Sequence, residues 1–211
     1  VVGVSENTRR DNPFVRRVIP HGVDDRCFSA APGDKSAAPS VLFVGTLDGR
    51  KRGRFLLDAF QDTVRATHPE ATLDFVGTNG PALPGVTYHT GITDDALAAR
   101  YRRAWVYASP STYEGFGLPY LEAMACGTPV IASPNPGSRE VLDDGRCGVL
   151  ATDEAFGPAL TALLGDAPRR AAMAEEGLRR ARAFSLSRMV DEYEELLYEL
   201  TEVHAGSAAR V

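Results

Sequence analysis

The chain has 211 residues and a formal net charge of −5, with 44% hydrophobic, 8% aromatic and 24% charged residues, proportions of a soluble globular protein that exclude a fibre and a disordered tail. The acidic balance excludes a dedicated nucleic-acid binder, whose phosphate contacts need a surplus of Lys and Arg on at least one face. No apolar run approaches the length of a membrane span, and the first residues, VVGVSENTRR, show neither the basic nor the apolar region of a signal peptide, so a cytoplasmic protein with at most peripheral membrane contact is expected. Cys27, Cys126 and Cys147 form no C-x-x-C pair and cannot all be bridged, so neither a disulfide framework nor a structural zinc is expected. Of the 23 basic residues all but Lys35 and Lys51 are arginine, which singles those two lysines out.

In chain order, residues 1–40 hold one short strand candidate, VRRVIP, and then a stretch, SAAPGDKSAAPS, that reads as an exposed linker. Short apolar β-branched runs then alternate with segments of helical period, with strands expected at about 41–45, 72–77, 86–89, 104–108, 129–132 and 148–150. Between them Phe55, Leu56, Ala59, Phe60 and Val64 mark one helix face, and Leu97, Tyr101 and Ala104 another. From about 153 onward the chain reads as helical, over 153–164, 168–183 and 186–203. This alternation predicts an α/β protein with a Rossmann-like, doubly wound parallel sheet and C-terminal helices, its ligand crevice beyond the carboxyl ends of the strands. The expected divisions are a connecting segment and linker at 1–40, the Rossmann-like body at 41–185, and a C-terminal helix and tail at 186–211.

The most informative stretch is SPSTYEGFGLPYLEAMACGTPVIAS, residues 109–133. After a buried strand, Glu114, Gly115, Phe116 and Gly117 make a Gly-rich turn, Pro119 opens a helix and Gly127 ends it. The free N–H groups of Gly117 and Leu118 would then face the crevice and suit a phosphate, with Gly115 and Gly117 allowing close approach. Glu114 and Glu122 stand in the spacing E-x7-E. Ionised near a positive helix end, they would accept bonds from adjacent sugar hydroxyls. The alternative is a capping Glu114 and a surface ion pair at Glu122. A second stretch, VLFVGTLDGRKRGRF, places Gly45 and Thr46 at the end of a strand and Arg50 and Lys51 just after it. Here the alternative is a solvated basic helix start, since Arg52 and Arg54 continue the run.

EGFGLPYLEAMACGTPVIAS resembles the donor-site motif of the family 4 retaining glycosyltransferases, which have the two-domain GT-B fold. VSENTRRD, VIPHGVDDRCF, VLFVGTLDGRK, LDFVG and PGSREVLDDGRCGVL each resemble the family segment at the corresponding place, so the likeness runs from residue 1 to about 200. It covers the family's second half, and the chain is therefore expected to be the donor-binding half alone. The resemblance implies a metal-independent transferase without a cofactor, taking a UDP- or GDP-linked hexose as substrate and passing the sugar to an unknown hydroxyl acceptor. It implies that Arg50 and Lys51 bind the donor diphosphate, that Glu114 lies near the donor sugar and Glu122 holds the ribose, and that His89 passes the nucleobase. Thr46, where many members have Arg, and Asp48–Gly49 depart from the family pattern. The last helix of the family braces the N-terminal domain. Here Met189, Tyr193, Leu196, Leu197 and Leu200 would keep an apolar face for that missing domain, for this domain or for a second copy.

Other readings of the chain are an isolated nucleotide-binding or scaffolding module without turnover, and an epimerase or phosphorylase on the same fold. His21 reads as a turn residue, His68 and His204 as surface residues, and Glu140 as structural. The acidic pairs Asp24–Asp25, Asp94–Asp95 and Asp143–Asp144 read as turns and a helix start rather than metal ligands.

Overall fold

In a computed structural model the chain is described over residues 1–31 and 33–208, with side chains described as far as residue 201. The main sheet has six strands, β3 (Ser40–Gly45), β4 (Thr72–Gly77), β5 (Val86–His89), β6 (Val106–Ser109), β7 (Val130–Ala132) and β8 (Val149–Leu150), all parallel, in the order β5-β4-β3-β6-β7-β8. This is the doubly wound order, and it reverses between β3 and β6. The first strand, SVLFVG, is an unbroken apolar run because it is covered on both faces.

Alternation along the strands divides the core in two. Leu42, Val76, Tyr107 and Val130 face one way, towards α4 (Asp94–Arg103), α5 (Leu118–Ala125) and α8 (Ala167–Arg182), through Tyr101, Leu121, Met124 and Ala181. Val41, Phe43, Phe75 and Ile131 face the other way, onto Leu56 and Leu57 of α2 (Gly53–Ala59), Phe60 and Val64 of the π-helical turn that continues it, and Phe156, Leu160 and Leu163 of α7 (Asp153–Gly165). Phe43 and Phe75 are inaccessible, with ring centroids 4.6 Å apart, and replacing either by Ala is expected to cost about 3–5 kcal/mol. The π-helical turn, Phe60–Val64, runs into α3 (Arg65–Thr67). A shorter helix, α6 (Pro136–Val141), starts on a capping box in which Asn135 accepts from the Ser138 amide and Ser138 from the Asn135 amide.

The first 40 residues hold more structure than the composition suggests. β1 (Val2–Gly3) pairs in parallel with β2 (Arg17–Val18), and α1 (Glu6–Asp11) is capped by Ser5. The Glu140 carboxylate accepts from the Glu6 amide at 2.8 Å and from Asn7 Nδ2 at 2.7 Å, tying α1 to α6. The stretch expected to be an exposed linker is exposed at Ser29, Ala30, Ala31, Gly33, Asp34, Lys35 and Ala37 but is pinned towards its end. Ser36 N donates to Arg103 O, Trp105 Nε1 donates to Ser36 O, and Lys35 Nζ reaches Ala104 O. Backbone bonds between Val23 and both Phe184 and Leu186 tie this segment to the start of the last helix, α9 (Leu186–Ala208), which runs beyond the predicted 203. Arg17 holds α9 through Glu195 at 2.5 Å and Glu199 at 2.9 Å. His204 and the tail 209–211 lie outside the residues whose side chains are described. No helix among the described residues is long and apolar enough to cross a membrane.

Candidate nucleotide-binding site

The crevice of a doubly wound sheet opens where the strand order reverses, beyond the carboxyl ends of β3 and β6. After β3 the chain turns at Gly45 and Thr46, whose hydroxyl donates to Asp48 O at 2.7 Å. A short 3-10 turn, Gly49–Lys51, follows, and Arg52 ends it in the left-handed region with φ 57°. That turn separates the four basic residues of the run. Arg54 pairs with Asp48 at 2.7 Å and Arg52 with Asp153 at 2.6 Å, whereas Arg50 and Lys51 are directed to the loop after β6. The Thr112 amide donates to Arg50 O at 2.9 Å, which joins the two turns through the backbone.

Glu114 lies between the two cations. Arg50 Nη1 donates to Glu114 Oε2 at 2.7 Å and to Tyr113 O at 2.9 Å, and Lys51 Nζ donates to Glu114 Oε1 at 2.6 Å. Glu114 is only 6% exposed. Burial by itself would raise its carboxyl pKa, but the bonds and charge of Lys51, then Arg50 and Ser111, overcome this and hold it below the ordinary value. The carboxylate therefore fixes both cations. Two N–H groups of Lys51 and the far edge of Arg50 remain available to a ligand.

Beside this trio, α5 starts just after Gly117, which has φ 108° and no side-chain cap; Pro119 has no N–H and the Tyr120 amide donates to Gly117 O at 3.0 Å, so the Gly117 and Leu118 amides are those left without an internal partner. A Cβ on Gly117 would lie 2.4 Å from the Tyr120 ring, whereas a Cβ on Gly115 would meet nothing within 4 Å. Gly115 thus borders open space. Phe116 differs from its neighbours. At 4% exposed it enters the core against Phe184, and His21 meets its edge with centroids 5.7 Å apart. What Phe116 can offer the crevice is its backbone.

Asn135, Gly137 and Ser138 hold this loop in place. Asn135 Nδ2 donates to Ser111 O at 3.0 Å, and the Gly137 amide donates to Glu114 O at 3.1 Å. A Cβ on Gly137 would lie 2.5 Å from Phe116 O, so the approach demands glycine. Ser138 closes the capping box beneath. The N-P-G-S sequence before α6 carried the cap signal, but its contact with the Glu114 loop depends on the fold.

Glu122 occupies the second turn of α5, half-buried, and accepts from Tyr101 Oη at 3.0 Å. The expectation that both glutamates share one electrostatic setting is corrected here. Burial raises the Glu122 carboxyl above its ordinary pKa, with the Tyr101 bond opposing. His89 lies at the end of β5, two strands away from β3, with Nε2 2.7 Å from Asp74 Oδ1. Its ring is engaged with β4, and no hydrogen bond or ion pair joins it to the Glu114 trio among the described residues. The acidic pairs are engaged elsewhere, Asp24 with Arg26, Asp143 with Arg146 and Asp144 with Arg139. Among the described residues no group of three or more His, Cys, Asp or Glu is placed to hold a metal ion.

The sequence profile of the family described as glycosyl transferases group 1 matches residues 38–166, which contain the whole sheet. The chain belongs to that family. D-inositol 3-phosphate glycosyltransferase of Kineococcus radiotolerans is 33% identical over 207 residues, covering 79% of this chain and 48% of the relative. The chain thus spans about half the length of the curated relatives it matches. Among solved structures, sucrose-phosphate synthase of Thermosynechococcus elongatus superposes with a TM-score of 0.82 at 27% identity, covering 96% of this chain and 58% of that one. The Anabaena protein HepE, solved in complex with UDP and glucose, superposes with a TM-score of 0.80 at 22% identity, covering 94% of this chain and 63% of that one. The parallel sheet and its helices are those of one half of a GT-B glycosyltransferase. In this group 1 member, Gly45, Thr46, Arg50, Lys51, Glu114, Gly115, Gly117, Leu118 and Glu122 all belong to the turns and helix at the switch point.

Proposed function

We propose that the crevice between β3 and β6 binds the nucleoside diphosphate of a sugar nucleotide, and that the chain is the donor-binding half of a retaining glycosyltransferase. The observation that carries this reading is the joint approach of Arg50 and Lys51 to Glu114 beside the uncapped start of α5. A diphosphate needs several donors converging from different elements, and this arrangement offers two cations and a helix N-terminus. In this reading Glu122, deeper along the same helix, accepts from the ribose diol.

In this reading the bond between the anomeric carbon and the diphosphate breaks on the face where the acceptor oxygen bonds to that carbon, and the departing diphosphate takes the proton of the acceptor hydroxyl. Arg50, Lys51 and the Gly117 and Leu118 amides stabilise the negative charge that grows on the diphosphate, and that electrostatic effect supplies the largest part of the rate. The sugar passes through an oxocarbenium-like state. Glu114 orients the cations and borders the sugar, and no protein nucleophile, metal ion or cofactor is invoked. The donor is a UDP- or GDP-linked hexose and the acceptor a hydroxyl compound.

Calorimetric titration with UDP, GDP and ADP, with and without divalent metal, tests the site. Saturable binding of one of them without metal is expected, and binding of none would overturn the reading. A second reading, a nucleotide-binding module with no turnover until an acceptor-binding half is supplied, is favoured by α9. There Val190, Tyr193 and Leu197 stand exposed, Leu197 at 61%. Slow donor hydrolysis by the chain alone, with transfer appearing only on addition of such a half, is its expected signature.

A further inference from the structure

The two lysines of the chain lie at opposite ends of the strands, before and after β3. Lys51 is in the crevice, whereas Lys35 is at the amino ends of the strands, just before β3. There a cavity of about 320 Å³ is lined by Lys35, Trp105, Pro129, Arg170, Ala171 and Ala174, among others. Trp105 and Pro129 immediately precede β6 and β7, and the last three residues belong to α8. The volume is that of a site for a small molecule.

Lys35 and Arg170 have ordinary structural duties. Lys35 Nζ donates to Ala104 O at 2.7 Å and Thr128 Oγ1 at 2.9 Å, closing the preceding segment onto the sheet. Arg170 Nη1 donates to the carbonyls of Leu163 and Leu164 at the end of α7. These bonds occupy two of three Lys35 donors and one nitrogen of Arg170. Both residues nevertheless line one mostly apolar cavity, and no carboxylate is among its lining residues. The nearby acids are engaged elsewhere, Asp34 with Arg102 at 3.2 Å and Asp166 as the cap of α8. Neither cation makes an ion pair among the described residues. Desolvation by the atoms around them lowers the pKa of both groups, that of Lys35 to about 8, although Lys35 as a whole residue is exposed. The Arg170 guanidinium lies over the Trp105 ring at 4.3 Å, making a flat cationic wall, and Pro129, Ala171 and Ala174 add an apolar floor.

We propose that this cavity is a second binding site, for a small aromatic carboxylate whose charge meets Lys35 and Arg170 and whose ring lies against the apolar lining. Bare phosphate has no use for the floor, and a neutral ring leaves the cations unpaired. The site is independent of the crevice, because none of its named lining residues comes from the turns after β3 and β6.

With two lysines in the sequence, biosynthetic incorporation of 13Cε-labelled lysine gives one NMR reporter for each site and leaves the N–H donors of both side chains intact. Titration with benzoate is expected to shift the Lys35 signal saturably and to move its pKa up from about 8, while the Lys51 signal stays in place. Benzamide and inorganic phosphate should bind roughly tenfold more weakly or not at all. Ala174→Leu fills the cavity and leaves both cations, and it should weaken benzoate by a similar factor. A Lys35 signal that follows benzoate, benzamide and phosphate alike would overturn the proposal, and so would full benzoate affinity in Ala174→Leu. Because Lys51 reports on the nucleotide crevice separately, loss of one reading leaves the other standing.

Discussion

Lys51 Nζ and Glu114 Oε1 are 2.6 Å apart although 63 residues separate them, and this contact joins the turn after β3 to the turn after β6 across the point where the strand order reverses. The ion pair is a way of holding a cation in place while leaving part of it open. An exposed lysine would lose side-chain freedom on meeting a phosphate, but Lys51 is already fixed by a carboxylate that is itself fixed by the Glu114 loop.

Lys51→Ala is accordingly expected to weaken a nucleoside diphosphate by about 1.5–3 kcal/mol, the worth of a charge-assisted bond, while the bare nucleoside loses little. Calorimetry with the two ligands in parallel makes the comparison. Equal losses would remove Lys51 from the diphosphate.

The Glu114 carboxyl, held below its ordinary pKa, makes stability depend on pH in a definite direction. A depressed pKa means that the unfolded chain binds the proton more tightly. The stabilisation is therefore complete above the unfolded value, about 4.3, and is lost as pH falls through the folded value. Glu114→Gln should be less stable than the parent at neutral pH, and urea unfolding should show the gap narrowing as the solution is acidified towards pH 3. A gap of constant size over that range would mean that Glu114 is not paired in solution.

The parts of this arrangement differ in how far local sequence could reveal them. Parallel strands covered on both faces must be nearly continuous apolar runs, so VLFVG declares itself, and the helical segments between the strand runs imply parallel crossovers, whereas the order of the strands in the sheet came only with the fold. Glu114, Arg50 and Lys51 stood out through motif resemblance and position after a strand. α1 did not stand out, because its residues ENTRRD include none that is buried and its start is held by Glu140 from 134 residues away. Asn135 and Gly137 escaped for the same reason, since what they prop is the Glu114 loop. Resemblance alone places His89 near the base, and in the fold its ring meets Asp74.

Gly117 tests the geometry of the α5 start. With φ at 108° and the Tyr120 ring 2.4 Å from where a Cβ would be, Gly117→Ala is strained in backbone and side chain together. A destabilisation of about 1–3 kcal/mol is expected, with a larger fractional loss of diphosphate binding than of stability. Gly115→Ala, which meets nothing, should leave the fold unchanged in thermal unfolding. If Gly117→Ala melted with the parent, the left-handed start of α5 would be wrong.

Glu122 sets stability against binding. Because burial raises its carboxyl above the ordinary pKa, the ionised form is disfavoured in the fold, and the charge costs stability above that pKa. Glu122→Gln keeps an acceptor for Tyr101 Oη and removes the charge, so the variant should melt at or above the parent at neutral pH. It should nevertheless lose nucleotide affinity by about 1–2 kcal/mol. The loss should shrink when the ligand lacks its ribose 2′-hydroxyl, since one of the two diol bonds is then absent from both proteins. Nucleotide affinity of the parent should fall as pH drops through the raised Glu122 pKa. Tyr101→Phe removes the bond that opposes the shift, so that decline should begin at higher pH in the variant. A decline at the same pH in both proteins would show that Tyr101 does not tune Glu122, and an undiminished loss with the deoxy ligand would place Glu122 away from the ribose.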